Sequence, residues 1–172
     1  MTSSHPQFGL LVAYLLPGFI GLGGLALLVP TIADWLRPVV GQDGLGLGPP
    51  VYAVLAATAM GMILSCFRWL IIDHILAWTG VKPPEWDATR LEERLGAFNY
   101  LVEYHYRYYQ FYANTLIAIV WTYFINRAVD TSPLLSPVTD VAMVVLCGVL
   151  FAGCRDSLIK YYDRTRQLIS PH

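Results

Sequence analysis

Charge is what this sequence has least of. Asp, Glu, Lys and Arg make up 13% of its 172 residues, about half the share found in soluble domains. Against that, 56% are hydrophobic and mean hydropathy is +0.51. Such a chain lacks the polar surface that a water-soluble fold of this length needs. Cysteine is scarce too. Cys66, Cys147 and Cys154 all fall within apolar runs, which reads as three free thiols and excludes a disulfide framework. None of them has the paired spacing of a zinc site. The N-terminus lacks a basic leader region, and no small-residue cleavage site follows the first apolar run. That run therefore reads as a retained span and not as a signal peptide.

Catalytic signatures are missing as well. There is no H-E-x-x-H, no G-x-S-x-G and no phosphate-binding glycine loop, and His5, His74, His105 and His172 stand singly. Arg68 and His74 have the loose Arg-x5-His spacing of HEPN-type ribonucleases. However, Trp69 stands where a polar residue is usual, and the pair lies in an apolar run. The chain reads as a non-enzyme with no cofactor and no metal. Its basic residues are too sparse for a nucleic-acid partner.

What is present is four apolar runs, each near the ~20 residues needed to cross a bilayer's hydrocarbon core. The expected fold is all-α, one polytopic membrane domain over residues 1–172, with spans near 8–29, 51–72, 108–126 and 138–157. Helices two to four should extend into the cytoplasm through residues 73–107 and 158–169. The first helix (Phe8–Val29) carries Pro17, which removes a backbone donor and is tolerated in membranes when a neighbour satisfies the freed carbonyl. Pro30–Leu36 should lie at the interface, followed by a Gly/Pro-rich loop over Arg37–Pro50.

The second helix runs from Pro50 to about Trp78 and bears a stripe of small residues, Ala53, Ala57, Gly61 and Ser65, spaced by four. Small residues at that spacing let helix backbones approach closely. Thr89 and Glu92 fit a capping box, and nothing beyond them stops a helix before Ile125. One continuous third helix of some 50 Å results at 1.5 Å per residue. The fourth begins at Pro137, an acceptable first-turn proline, and runs to the end.

Orientation comes from the eleven Lys and Arg residues. Arg68, Lys82, Arg90, Arg94 and Arg107 cluster around one loop, and Arg155, Lys160, Arg164 and Arg166 in the tail; Arg37 and Arg127 alone fall on the opposite side. The positive-inside rule makes the rich side cytoplasmic, so both termini face the cytoplasm of an inner membrane.

Counting from the external helix ends puts Arg68, Gln110 and Arg155 at one depth, about 25 Å inward. Asp73 and His74 lie a turn further in, Asp156 beside Arg155, and Asn114 a turn deeper in lipid. Charges at that depth pair or face the bundle interior. An interhelical network is expected in which Arg68 or Arg155 pairs with Asp156 or Asp73, bridged by Gln110 and Asn114. On the third helix Glu103, Arg107, Gln110 and Asn114 share one face at steps of four, three and four. The tyrosines around them read as an interfacial aromatic belt.

The layout is similar to that of small multi-pass membrane effectors of bacterial defence systems, a likeness of architecture with no shared motif. It implies a homo-oligomer in contact with membrane lipid, pore-forming or signal-gated. The alternatives are an accessory or anchoring subunit of a larger membrane complex, docking a cytosolic protein at residues 80–107 and 158–172, and a small transporter or intramembrane enzyme.

Overall fold

Proline positions decide where the helices begin and end. The structure, a computed structural model, describes residues 6–37, 48–85, 94–129 and 136–169. Its elements are α1 (Pro6–Ala26), α2 (Pro30–Leu36), α3 (Gly48–Trp78), α4 (Leu95–Leu101), a π turn (Val102–Tyr106), α5 (Arg107–Val129) and α6 (Pro137–Ile169). All are helical, and no strand occurs among the described residues.

The expected first span, to Val29, stops at Ala26. A proline ring collides with the carbonyl four residues earlier, and Pro30 is four residues past Ala26. The chain turns there, and Pro30 becomes the first residue of α2. Pro17, by contrast, sits inside α1 without ending it. At the far end of α3, Gly80 adopts φ +89°, and two turn bonds close the helix, Val81 N–H to the Leu76 carbonyl and Gly80 N–H to that of Ala77, each 3.1 Å. That left-handed glycine turn folds Val81 back onto the core beside Leu76.

α5 is the centre of the bundle and packs against α1, α3 and α6. α4, the π turn and α5 form one unbroken helical rod over residues 95–129, matching the expected long helix within the described residues. The Thr89–Glu92 capping box lies outside them. The small stripe of α3 seats α1. A Cβ on Gly61 would stand 2.1 Å from the Tyr14 carbonyl oxygen, and one on Gly18 would stand 1.8 Å from that of Ala57. Ala57 is buried in the same contact, and Ala53 is buried on the same stripe.

The long rod and α6 are fastened at both ends. At one, Arg127 pairs with Asp140, and the Tyr123 hydroxyl donates to Asp140 Oδ1 at 2.8 Å. At the other, Arg94 Nη1 donates to the Leu168 carbonyl at 3.0 Å, while Tyr161 packs on Phe98 and Tyr106.

Polar groups lie within the bundle while large apolar side chains cover part of its outside. Asn114, Gln110, Thr115 and Arg68 are buried, whereas Val138 and Val144 on α6 are 77% and 72% exposed. Two helices, Pro50–Trp78 and Pro137–Leu168, are long and apolar enough to cross a membrane. The apolar stretch of α1, Leu11–Ala26, is shorter.

Candidate functional site

The polar stripe on the central helix faces α1. Asn114 Nδ2 donates to the Ala13 carbonyl at 2.9 Å. Gln110 Nε2 donates to the Tyr14 hydroxyl at 3.0 Å, and its Oε1 accepts from Arg107 Nη1 at 2.9 Å. Arg107 Nε lies 3.6 Å from Glu103 Oε1. Further along, Thr122 Oγ1 donates to the Ile20 carbonyl at 2.9 Å. Glu103, Arg107, Gln110 and Asn114 thus form a continuous polar seam between α1 and α5. Buried polar groups persist where they are hydrogen-bonded, and here the partners are the backbone and the tyrosine hydroxyl of one neighbouring helix.

A second cluster stands on another face of α5. Arg68, 7% exposed, lays its guanidinium 5.1 Å from the Tyr109 ring centroid and 6.0 Å from that of Tyr106. Those rings offer the cation their negative faces. Arg68 Nε and Nη1 have no hydrogen-bond partner among the described residues. Asp73, one turn on along α3, accepts the hydroxyl hydrogen of Tyr109. Tyr109 itself is fully buried and shares the core with Cys154 and Leu158 of α6.

The expected common layer is therefore split. Gln110 and Asn114 do not bridge to Arg68, because they point to α1. Arg155 and Asp156 are exposed, and Asp156 pairs with Lys160 at 2.6 Å, one turn along its own helix. The cause is angular. α6 buries Leu150, Cys154, Leu158 and Tyr161, a stripe at steps of four, four and three, and Arg155 and Asp156 are turned roughly 100° and 200° from Cys154. His74 is also exposed; its Nδ1 meets the Trp69 carbonyl at 3.2 Å, against the Trp69 ring. Of the polar residues expected at this depth, Arg68 and Asp73 are the two gathered around Tyr109.

Tyr109 and Tyr14 are the participants that sequence reasoning misses. The one available signal for Tyr109 is its place in the series His105, Tyr109, Ala113 and Leu116, spaced four, four and three, all of which are buried.

Below the seam, the π turn buries His105. Burial holds its imidazole below the ordinary value of 6.5, with Arg164 and Lys160 lowering it further and Asp156 opposing. No group of three or more potential metal ligands occurs among the described residues. The three cysteines are free: Cys66 exposed, Cys147 half-buried and Cys154 buried.

Comparison with known protein families, characterised proteins and solved structures finds no match.

Proposed function

We propose that the protein is a four-span integral inner-membrane protein with both termini in the cytoplasm, and that it works as a homo-oligomer. The observation that carries this reading is the outer face of α6. Only 11% of its most apolar 18-residue window is buried, and Val138, Val141, Val144, Val145 and Val149 all point outward. Apolar area on that scale calls for lipid or a partner to cover it.

The same face carries a packing notch. Gly148 and Ala152, four residues apart, are both exposed, and a Cβ on Gly148 would meet nothing within 4 Å among the described residues. Small residues at that spacing are how membrane helices approach one another. The small stripe of α3 is occupied by α1, so α6 is the helix with such a notch left open. The polar seam is closed by α1 in this conformation. A pore-forming or signal-gated form of the protein would conduct only after α1 parted from α5 and bared Gln110 and Asn114.

Particle mass in mild detergent tests the assembly. A discrete multiple of one chain, reduced by Gly148→Leu, is the expected result, and a monomer would overturn it. Bilayer conductance that Asn114→Ala alters supports the pore; an intact oligomer with no conductance removes it.

One observation favours a second reading, as an accessory or anchoring subunit. The small-residue stripe of α3 and the Gln110 and Asn114 amide nitrogens find their partners on α1, which leaves the α6 face and the cytoplasmic helix ends for a different partner. A monomer that copurifies with a second protein would move the conclusion there.

A further inference from the structure

We infer that the cleft between the start of α1 and the π turn holds the headgroup of an ethanolamine phospholipid of the cytoplasmic leaflet, its ammonium at Glu103 and its phosphate at Arg107; this rests on the four-span reading above. The cleft encloses about 240 Å³, with Gly9 and Val12 on one wall and Glu103, Tyr104, Arg107 and Phe111 on the other.

Its ionic groups keep bonding capacity. Arg107 Nε is buried without a hydrogen-bond partner among the described residues, and at 3.6 Å from Glu103 Oε1 it is beyond hydrogen-bond reach. An opposed cation and carboxylate so placed, neither fully engaged with the other, match a ligand carrying phosphate and ammonium a short chain apart. Arginine is suited to phosphate. A primary ammonium can donate to the Glu103 carboxylate, which would instead repel a purely anionic headgroup.

The aromatic wall points the same way. Tyr104 is 54% exposed and stands between Tyr100, stacked at 5.6 Å, and Tyr108, edge-on at 6.0 Å. Ring faces beside Glu103 give an ammonium a second, non-ionic contact. Gly9 lets α1 approach this ionic pair closely: a Cβ there would stand 2.6 Å from Glu103 Oε2 and 3.2 Å from Arg107 Cγ.

Depth is the independent argument. Arg107 precedes Arg127 by twenty residues, about 30 Å of helix, which is the thickness of the hydrocarbon core. With Arg127 at the external edge, Arg107 falls at the cytoplasmic headgroup level, where tyrosine is also favoured. Val12 and Phe111 lie on the membrane side and give an acyl chain an apolar path.

The test is native mass spectrometry of the full chain released from nanodiscs that contain equal phosphatidylethanolamine and phosphatidylglycerol. Retained phosphatidylethanolamine should exceed phosphatidylglycerol by about five-fold, the upper range for one partly exposed ionic contact. Glu103→Gln should bring the ratio to parity, and Tyr104→Ala, which removes the exposed ring beside Glu103, should lower it. Parity in the unaltered protein, or a ratio unmoved by both variants, would overturn the inference while leaving the four-span reading intact. Soluble glycerophosphoethanolamine that still displaces the lipid when phosphatidylethanolamine is in large excess would assign the cleft to a small metabolite and overturn it too. A chain that does not enter nanodiscs at all would sink both readings.

Discussion

The Asn114 side chain supplies the hydrogen bond that Pro17 takes away. Pro17 has no N–H, so the carbonyl four residues earlier, that of Ala13, loses its helical donor; Asn114 Nδ2 donates to that same oxygen at 2.9 Å. Inside a bilayer an unsatisfied carbonyl costs several kcal/mol, and an interhelical side-chain bond is worth about 1 kcal/mol. Asn114→Leu should therefore cost about 1 kcal/mol in reversible unfolding from mixed micelles. In a Pro17→Ala background, where residue 17 regains its N–H, the same substitution should cost measurably less. Additive costs in that double-mutant cycle would refute the pairing.

Gly18 and Gly61 admit no side chain. Their Cβ atoms would lie 1.8 and 2.1 Å from backbone carbonyl oxygens on the facing helix, and backbone cannot yield as a flexible side chain does. Gly18→Ala and Gly61→Ala should each cost at least the roughly 1–3 kcal/mol of ordinary overpacking and loosen α1, seen as faster proteolysis or a lower melting temperature. Gly23→Ala is the control. Nothing lies within 4 Å of its Cβ among the described residues, and the helix should gain up to about 1 kcal/mol from the better helix former.

Arg68 is expected to be poorly optimised for stability. Two of its nitrogens are buried without a hydrogen-bond partner among the described residues, and a buried charge replaced by an apolar residue of similar shape is often neutral or stabilising. Arg68→Met should leave the melting temperature unchanged or raise it. Tyr109→Phe should do the reverse, since it keeps the ring under the guanidinium but strips Asp73 of its donor, at a cost of about 1–3 kcal/mol. A large loss from Arg68→Met with none from Tyr109→Phe would invert the assignment.

His105 makes stability depend on pH in a definite direction. Its folded value lies below the ordinary 6.5, so the unfolded chain binds the proton more readily. The contribution is intact above 6.5 and is lost as pH falls from there toward the folded value. Facing it are Arg164 and Lys160, which strengthen the effect, and Asp156, which weakens it. Melting tracked from about pH 7.5 down to about pH 5 should show a decline that His105→Gln flattens. Equal slopes in both proteins would rule His105 out as the source.

Helix existence and several boundaries are legible in the sequence because they rest on local rules. Pro30 ends α1, Pro137 begins α6, and Gly80 closes α3, each through its own backbone chemistry. The face shared by Glu103, Arg107, Gln110 and Asn114 is legible from spacing. Its partner is not, since the same spacing serves a pore, a second copy or α1. The stripe of Ala53, Ala57 and Gly61 carries the same ambiguity, settled only by where Gly18 and Tyr14 come to lie. Arg155 misleads because depth counts residues without direction, and its side chain faces outward. Tyr108 and Tyr109 are identical in type and adjacent in sequence, yet one is exposed and the other fully buried. Composition cannot separate them.

The π turn has a consequence in phase. Arg107 N–H bonds to the Val102 carbonyl, five residues back, so this stretch holds one residue more than a regular helix would. Each residue is about 100° of rotation. Above the turn, that offset aims Asn114 at α1 and Tyr109 at Arg68; below it, Leu101 and Phe98 meet the end of α6. Deleting one residue from 102–106 would make the helix regular and rotate its N-terminal end by about 100°, taking Phe98 off Tyr161 without altering a single side chain in the bundle above. The docking of α4 against the end of α6 is thus set by residue count, and a single insertion or deletion there acts as a change of angle.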